Sequence, residues 1–428
     1  MNTMENRECG SAGEYQGAAV KKGWETKKLG EVCVVFADGD WVESKDQSEN
    51  GIRLIQTGNI GKGLFKDRAE KARYISEETF RRLRCTEIFE GDCLISRLPD
   101  PVGRSCIIPN TGNRMITAVD CTILRFDPKQ LLPTFFNYYS QSDDYLTTVS
   151  KECTGTTRNR ISRSNLGLTP ICVPPLPEQQ RIVAILDEAF EEIATAKANA
   201  EKNLQNARAL FESHLNQVFT QRGEGWVSNK LKAITTKIGS GATPRGGEES
   251  YKTTGVSLIR SLNVHDLEFK YAKLAFLDDA QAAGLSNVEI QSKDVLLNIT
   301  GASIARCCIV PDNVLPARVN QHVSIVRPQP KILAPEFLHY LLISKPYKDR
   351  LLQTGEDGGS TRQAITKAQI QDFSVSYPES VGDQLAVVAK LDSMLVETQH
   401  LESICQQKIT ALDELKKSLL HQAFSGEL

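Results

Sequence analysis

From Leu186 onward the apolar positions step by four and three: Leu186, Phe190, Ile193, Ala200, Leu204, Ala207, Phe211 and Val218, with Lys197 and His214 interrupting the series. Ala, Glu, Lys and Gln fill the positions between, and all are good helix formers. A heptad-like stripe of this kind predicts a long packed helix. A second stripe, Leu391, Leu395, Leu401, Ile404, Leu412, Leu415 and Leu419, predicts another. Pro174, Pro175 and Pro177 cannot sit in a helix interior, and they push the residues before them toward extended backbone. They end one segment where the helical pattern takes over at Glu178. The rest of the chain has a shorter rhythm. Apolar runs such as EVCVVF, IRLIQ, DCLIS, CTILRF and DVLLNI, punctuated by turn residues, predict short strands. Helical patches lie near Leu132–Tyr145 and Pro335–Leu352. Each globular part therefore reads as an α+β domain with a bent, mostly antiparallel sheet.

The two patterns are copies. GWETKKLGEV from Gly23 answers GWVSNKLKAI from Gly225, and GIRLIQTGNI from Gly51 answers GVSLIRSLNV from Gly255. EIFEGDCLIS from Glu87 answers EIQSKDVLLN from Glu289, TGTTRNRIS from Thr154 answers GGSTRQAIT from Gly358, and LQNARALFESHLNQVFT from Leu204 answers ITALDELKKSLLHQAFS from Ile409. Five matches in the same order mark an internal repeat. The repeat divides the chain into a poorly ordered leader (1–22), a first head (23–175), a first spacer helix (176–222), a second head (223–378) and a second spacer helix (379–428). A unit repeated once tends to pack about a pseudo-two-fold axis, which makes the helices antiparallel. About 40 helical residues give a rod of about 60 Å.

Composition adds little against this picture. Hydrophobic residues make up 40% and charged residues 24% of the 428, ordinary values for a globular chain. The net charge of −2 excludes a whole-chain basic footprint, although 51 Lys and Arg leave room for a local one. The 11 cysteines include no C-x-x-C pair and read as reduced thiols, mostly in the core. No apolar run approaches a membrane span and no secretory leader precedes the first head, so the expected location is cytoplasmic.

Catalytic patterns are missing. GNIGKG at Gly58 lacks the spacing of a phosphate loop and reads as a turn. Glu43 and Lys45 form an isolated E-x-K, and His322 in VNQHVSIV reads as a satisfied strand histidine. No methyltransferase signature of the Asn-Pro-Pro-aromatic type is present. The expectation is a non-enzyme with no metal and no catalytic residue.

The junction PLPEQQRIVAILD resembles that of type I restriction-modification specificity (S) subunits. So do the ending LLHQAFSGEL, the stretches IGSGATPRGGEESYKTTGVSLIRSLNV and LLNITGASIARCCIVPDNVLPARVNQHVSIVRP, and the loops TGTTRNRISRSNL and ISRLPDPVGRSCIIP. The resemblance extends over nearly everything after residue 22. It implies two target-recognition domains, each reading half of a split, asymmetric site on double-stranded DNA. It implies an antiparallel coiled coil that sets the half-site spacing. It also implies docking of two modification subunits, which methylate adenine N6 with S-adenosylmethionine, and of restriction subunits that add an ATP-dependent, Mg-requiring nuclease and translocase. None of those cofactors would bind this chain. One departure is visible: ESVGDQLAVVAKLD lacks the tight prolines of the first junction, which predicts a longer or looser link there. Two readings compete, a self-contained restriction enzyme and a coiled-coil adaptor binding only proteins. The missing catalytic motifs oppose the first, and the divergent loops on similar frameworks oppose the second.

Phosphate contacts call for Arg, Lys, Ser and Thr in glycine-rich loops. Thr156, Thr157, Arg158, Arg160 and Arg163 supply these in the first head; Lys237, Ser240, Thr243, Arg245, Ser360, Thr361 and Arg362 supply them in the second. Base reading calls for Arg toward guanine and Asn or Gln toward adenine. Gln56, Arg97 and Arg104 are the candidates in the first head, and Arg260, Asn263, Arg306, Asn320 and Gln321 in the second. On the spacer, Leu186, Phe190, Ile193, Leu204, Leu391, Leu395, Leu412 and Leu415 are the candidate partner-binding positions. Trp24 and Trp226, at equivalent places, read as anchors of each domain entry.

Overall fold

The computed structural model describes residues 23–155, 159–356 and 364–428. The leader 1–22 and the candidates Thr156, Thr157, Arg158, Ser360, Thr361 and Arg362 lie outside the described residues. The chain divides into two compact units. One comprises the chain up to Ala200 together with Gln407–Leu428, and the other is Glu201–Gln406.

In the first unit a four-stranded antiparallel sheet runs in the order Cys33–Asp38, Cys121–Phe126, Cys93–Ser96, Ser105–Ile107. A register shift between Arg125 and Phe126 marks a bulge, which bends the sheet. A second sheet orders Gln47–Ser48, Arg73–Ile75, Ile52–Ile55, Met115–Thr117 and Glu87–Ile88. Within it Ile52–Ile55 and Met115–Thr117 pair in parallel. The strand Glu25–Lys28 pairs antiparallel with Pro170–Val173, so the entry and exit of the head are stitched together. The core gathers Trp24, Ile95, Phe126, Phe136, Tyr145 and Leu166 from this framework, Ile182 and Leu186 from the start of one long helix, and Leu420, Ala423 and Phe424 from the end of the other.

The second unit repeats the plan. Its four-stranded sheet runs Thr235–Ser240, Val323–Pro328, Val295–Asn298, Cys307–Ile309, with a register shift between Thr235 and Lys237. Val256–Ile259 pairs in parallel with Ala317–Val319 and antiparallel with Ala275–Leu277. Trp226–Lys230 pairs with Ser374–Pro378, closing the head as in the first unit. Phe211, Leu215 and Phe219 join Phe337, Tyr347, Val388 and Leu391 in its core.

The long helices span Leu176–Thr220 and Val381–Ser425, 45 residues each. The first begins at Leu176, two residues before Glu178, with Pro177 in the opening turn, where a missing N–H costs nothing. In the first unit Arg181 donates to the Leu428 carbonyl and Lys197 pairs with Asp413 at 2.7 Å, so the helices run antiparallel there. In the second unit Arg208 pairs with Glu402 at 2.9 Å, and Phe219 shares a core with Leu391, again antiparallel. These exposed ion pairs add little; the apolar seam holds the helices.

Both junctions use one device. Gln179 is fully buried: its Oε1 accepts from the Leu132 N–H at 2.9 Å, and its Nε2 donates to the carbonyls of Gln130 and Pro174 at 2.8 Å. Gln384 repeats this with the Ala334 N–H and the carbonyls of Ile332 and Pro378. About two turns further on, Tyr138 donates to Asp187 and Tyr340 to Asp392, at 2.5 and 2.6 Å. The looser second link expected from the missing prolines is absent. Two residues separate strand from helix at both junctions, because the buried glutamine, not the prolines, fixes the turn.

Candidate nucleic-acid interface

Each head displays a loop cluster where the strand after the entry meets the two central hairpins. Close packing starts it. A Cβ on Gly39 would lie 2.4 Å from the Ala118 and Thr117 carbonyl oxygens, and one on Gly241 would lie 1.8 Å from that of Val319. No side chain fits at either place, so the loops that follow lie against the turns at 118–120 and 319–322.

In the first unit several candidate side chains are occupied by the fold. Arg104, 8% exposed, donates to the carbonyls of Ile60, Leu98, Pro101 and Thr57 at 2.7–2.9 Å. Arg97, 4% exposed, donates to Val119 and Ile161 carbonyls and lies 3.3 Å from Asp38. Burial pulls both guanidinium groups below their ordinary pKa. Both organise loops rather than present free donors. Gln56 lies at the start of a turn braced by Asn59, whose Oδ1 accepts from the Gln56 N–H. Arg160 closes the Thr154–Arg160 bridge and pairs with Asp120 at 3.1 Å. Arg163 is exposed at the start of the helix Arg163–Leu168. Trp41, which sequence reasoning passed over, is 70% exposed, with its indole N–H 3.4 Å from Glu43.

In the second unit Asn263 is fully buried and repeats the bracing role of Asn59. It accepts from the Arg260 N–H and donates to the Lys270 carbonyl. It braces the turn from a buried position. Asn320, 4% exposed, is likewise engaged, accepting from the His322 N–H at 3.0 Å. Arg260 pairs with Glu248 at 2.6 Å, donates to the Lys273 carbonyl and stacks over Tyr251. Lys237 donates to the Asn287 carbonyl, and Ser240 is half-buried opposite Ser324.

Arg306 holds the hairpin place of Arg104, just before the strand Cys307–Ile309, yet its side chain forms no hydrogen bond or ion pair among the described residues. The reason is a substitution of partners. Asn298 Nδ2 donates to the carbonyls of Ser261 and Val264, the counterparts of the Thr57 and Ile60 carbonyls that Arg104 serves. Arg306 is thereby released, and Arg245 is exposed nearby in sequence to Thr243. Thr243 donates to Gln321 Oε1, Gln321 Nε2 lies 3.1 Å from His322 Nε2, and His322 Nδ1 lies 2.6 Å from Thr300 Oγ1. Thr300 in turn bridges Ala364. His322 is thus a polar relay at a turn, not a strand histidine.

The candidate partner positions divide. Leu186, Ile193 and Leu391 are buried in their own units, while Phe190, Leu204, Leu395 and Leu412 are half-buried and Leu415 is 46% exposed. Leu401 and Ile404, placed in the second stripe, are also exposed.

Among the described residues no group of three or more His, Cys, Asp or Glu could hold a metal ion. Burial pushes the thiols of Cys106, Cys121 and Cys308 up to about 12, which keeps them protonated and poor nucleophiles. Glu43 is paired with Lys45 at 2.7 Å in solvent. No described helix is long and apolar enough to cross a membrane.

Residues 21–204 match the model of the type I restriction modification DNA specificity domain. The chain is 22% identical over 316 residues to the type I restriction enzyme EcoBI specificity subunit of Escherichia coli, a match covering 68% of this chain and 65% of that protein. It is 22% identical over 329 residues to the EcoKI specificity subunit of Escherichia coli K12, covering 72% and 68%. A chain from a structural study of complex assembly and conformational transition in the type I R-M system superposes with a TM-score of 0.77 at 19% identity, covering 96% of this chain and all of that one. The HsdS subunit of Thermoanaerobacter tengcongensis superposes with 0.57 at 19% identity, covering 96% and 98%.

Proposed function

The chain belongs to the type I restriction-modification specificity-subunit family, and we propose that it reads a bipartite, asymmetric site on double-stranded DNA, one half with each head. The observation that carries this is a repeated framework with unrepeated loop chemistry. The order of the four-stranded sheet, the entry–exit strand pair and the buried junction glutamine recur in both units. The loop positions do not: Trp41 stands where the other head has Thr243, Val119 where it has Gln321, and an occupied Arg104 where it has Arg306, whose side chain has no partner among the described residues. Two equal scaffolds with different surface donors suit two different half-sites.

In this reading the chain carries no catalysis of its own. Two modification subunits dock on the helices, where Val396, Leu401, Ile404 and Leu415 leave apolar surface exposed. Those subunits bind S-adenosylmethionine and methylate adenine N6. Restriction subunits bring ATP and Mg for cleavage, and the assembly works in the cytoplasm. The test is selection from a randomised DNA library with the full chain and its modification subunits. Two constant blocks separated by unselected bases of fixed length are expected; a single continuous block would contradict the two-reader account.

A further inference from the structure

We propose that Gln321 is the adenine-specifying residue of the second head, held in reading position by Thr243 and His322. This deepens the DNA-reading function above and rests on it.

An amide can recognise adenine in the major groove because its oxygen accepts from the N6 amino group while its nitrogen donates to N7. The pairing demands both amide ends in one plane at the surface. An unrestrained glutamine pays up to about 2 kcal/mol in lost rotamer freedom to supply this. Gln321 is exposed, yet both ends of its amide are already tied. Its oxygen accepts from the Thr243 hydroxyl, and its nitrogen lies 3.1 Å from His322 Nε2. Since the amide nitrogen can only donate, the His322 Nε2 accepts and its Nδ1–H donates to Thr300 Oγ1 at 2.6 Å. The His322 N–H is fixed by Asn320 at 3.0 Å, and Asn320 is itself buried.

Donor and acceptor capacity then decides what is left over. An amide oxygen has two lone pairs and an amide nitrogen two hydrogens. Thr243 uses one lone pair and His322 one hydrogen, so one acceptor and one donor remain, both fixed in direction. That leftover pair is the complement of adenine and not of guanine, which presents two acceptors. The placement agrees. Thr243 belongs to the loop carrying the exposed Arg245, and Thr300 bridges Ala364. The first head has no such device, since Trp41, Val119 and Asp120 occupy the corresponding positions.

The test uses the full chain with its modification subunits and the randomised DNA library, comparing wild type with Gln321→Ala, Gln321→Glu and Thr243→Val. Wild type is expected to select an A·T pair at one position of one half-site. Gln321→Ala should lower discrimination at that position alone by about 5- to 150-fold. Gln321→Glu should turn its preference toward cytosine, whose amino group a carboxylate accepts. Thr243→Val should weaken selectivity several-fold at the same position, which marks Thr243 as a positioning residue. Unchanged preference at every position with Gln321→Ala, or an equal loss of affinity for all sequences, would overturn the assignment while leaving the bipartite reading intact. Failure of the wild-type assembly to select any sequence would overturn both.

Discussion

Replacing Gln179 by Ala is expected to destabilise the first unit by about 3–4 kcal/mol, and Gln384→Ala should do the same to the second. Each glutamine satisfies one N–H and two carbonyls where the exit strand turns into a long helix. Alanine leaves all three without a partner in a site that excludes water. Each orphaned group costs about 1–3 kcal/mol, discounted for partial relaxation. Gln179→Glu keeps the acceptor for Leu132 and loses both donated bonds, so most of the penalty should remain. Arg181→Ala, two residues on and exposed, should cost under about 1 kcal/mol. Denaturant titration with hydrogen exchange of the strands at 25–28 and 170–173 separates these outcomes. A loss below about 1 kcal/mol for Gln179→Ala would show that the prolines hold the junction after all.

Asp294→Ala should cost the second unit about 3 kcal/mol, a fall of roughly 6–12 °C in Tm for a unit of this size. The Asp294 side chain is fully buried, takes both Arg327 nitrogens at 2.6 Å and accepts from the Gln291 N–H at 2.8 Å. Removing it strands a guanidinium that is only 21% exposed. Partial hydration of that group keeps the expected cost near the low end for a broken buried pair. Asp92→Ala should act alike in the first unit, where Asp92 holds Arg125 in the same fork and raises its pKa by that hydrogen bonding. Asp294→Asn should not rescue, because its amide sets donors against donors. Calorimetry of the full chain reads both variants, and an unshifted transition in Asp294→Ala would remove the fork from the stability account.

The repeat and the long helices are legible in the sequence because they depend on local period. Leu186, Ile193, Ala200, Ala207 and Phe211 lie buried as the first stripe requires. The second stripe is less faithful: Leu401, Ile404 and Leu415 are exposed, while Val388, Leu420, Ala423 and Phe424 are buried. A helix with apolar residues on several faces does not reveal which face its neighbours cover. The junction was visible as a motif, but its working parts, Gln and Asp eight residues apart in both copies, emerge only by setting Gln179 and Asp187 beside Gln384 and Asp392. The interface is the hardest part to read. Residue type marks Arg97 and Arg104 as donors without saying that loop carbonyls take those donors. The Thr243–Gln321 contact joins positions 78 residues apart, and no local pattern signals it. Trp41 carried one signal, its place opposite Thr243 in the repeat.

The central claim is that each head reads its own half of the site. Exchange of residues 23–173 for the first head of another family member tests it most directly, with the recognised sequence read by methylome sequencing of a host expressing the complete system. The account predicts that one half-site changes to that of the donor while the other half-site, including the adenine assigned to Gln321, is retained. A change in both half-sites together, or in neither, would contradict it.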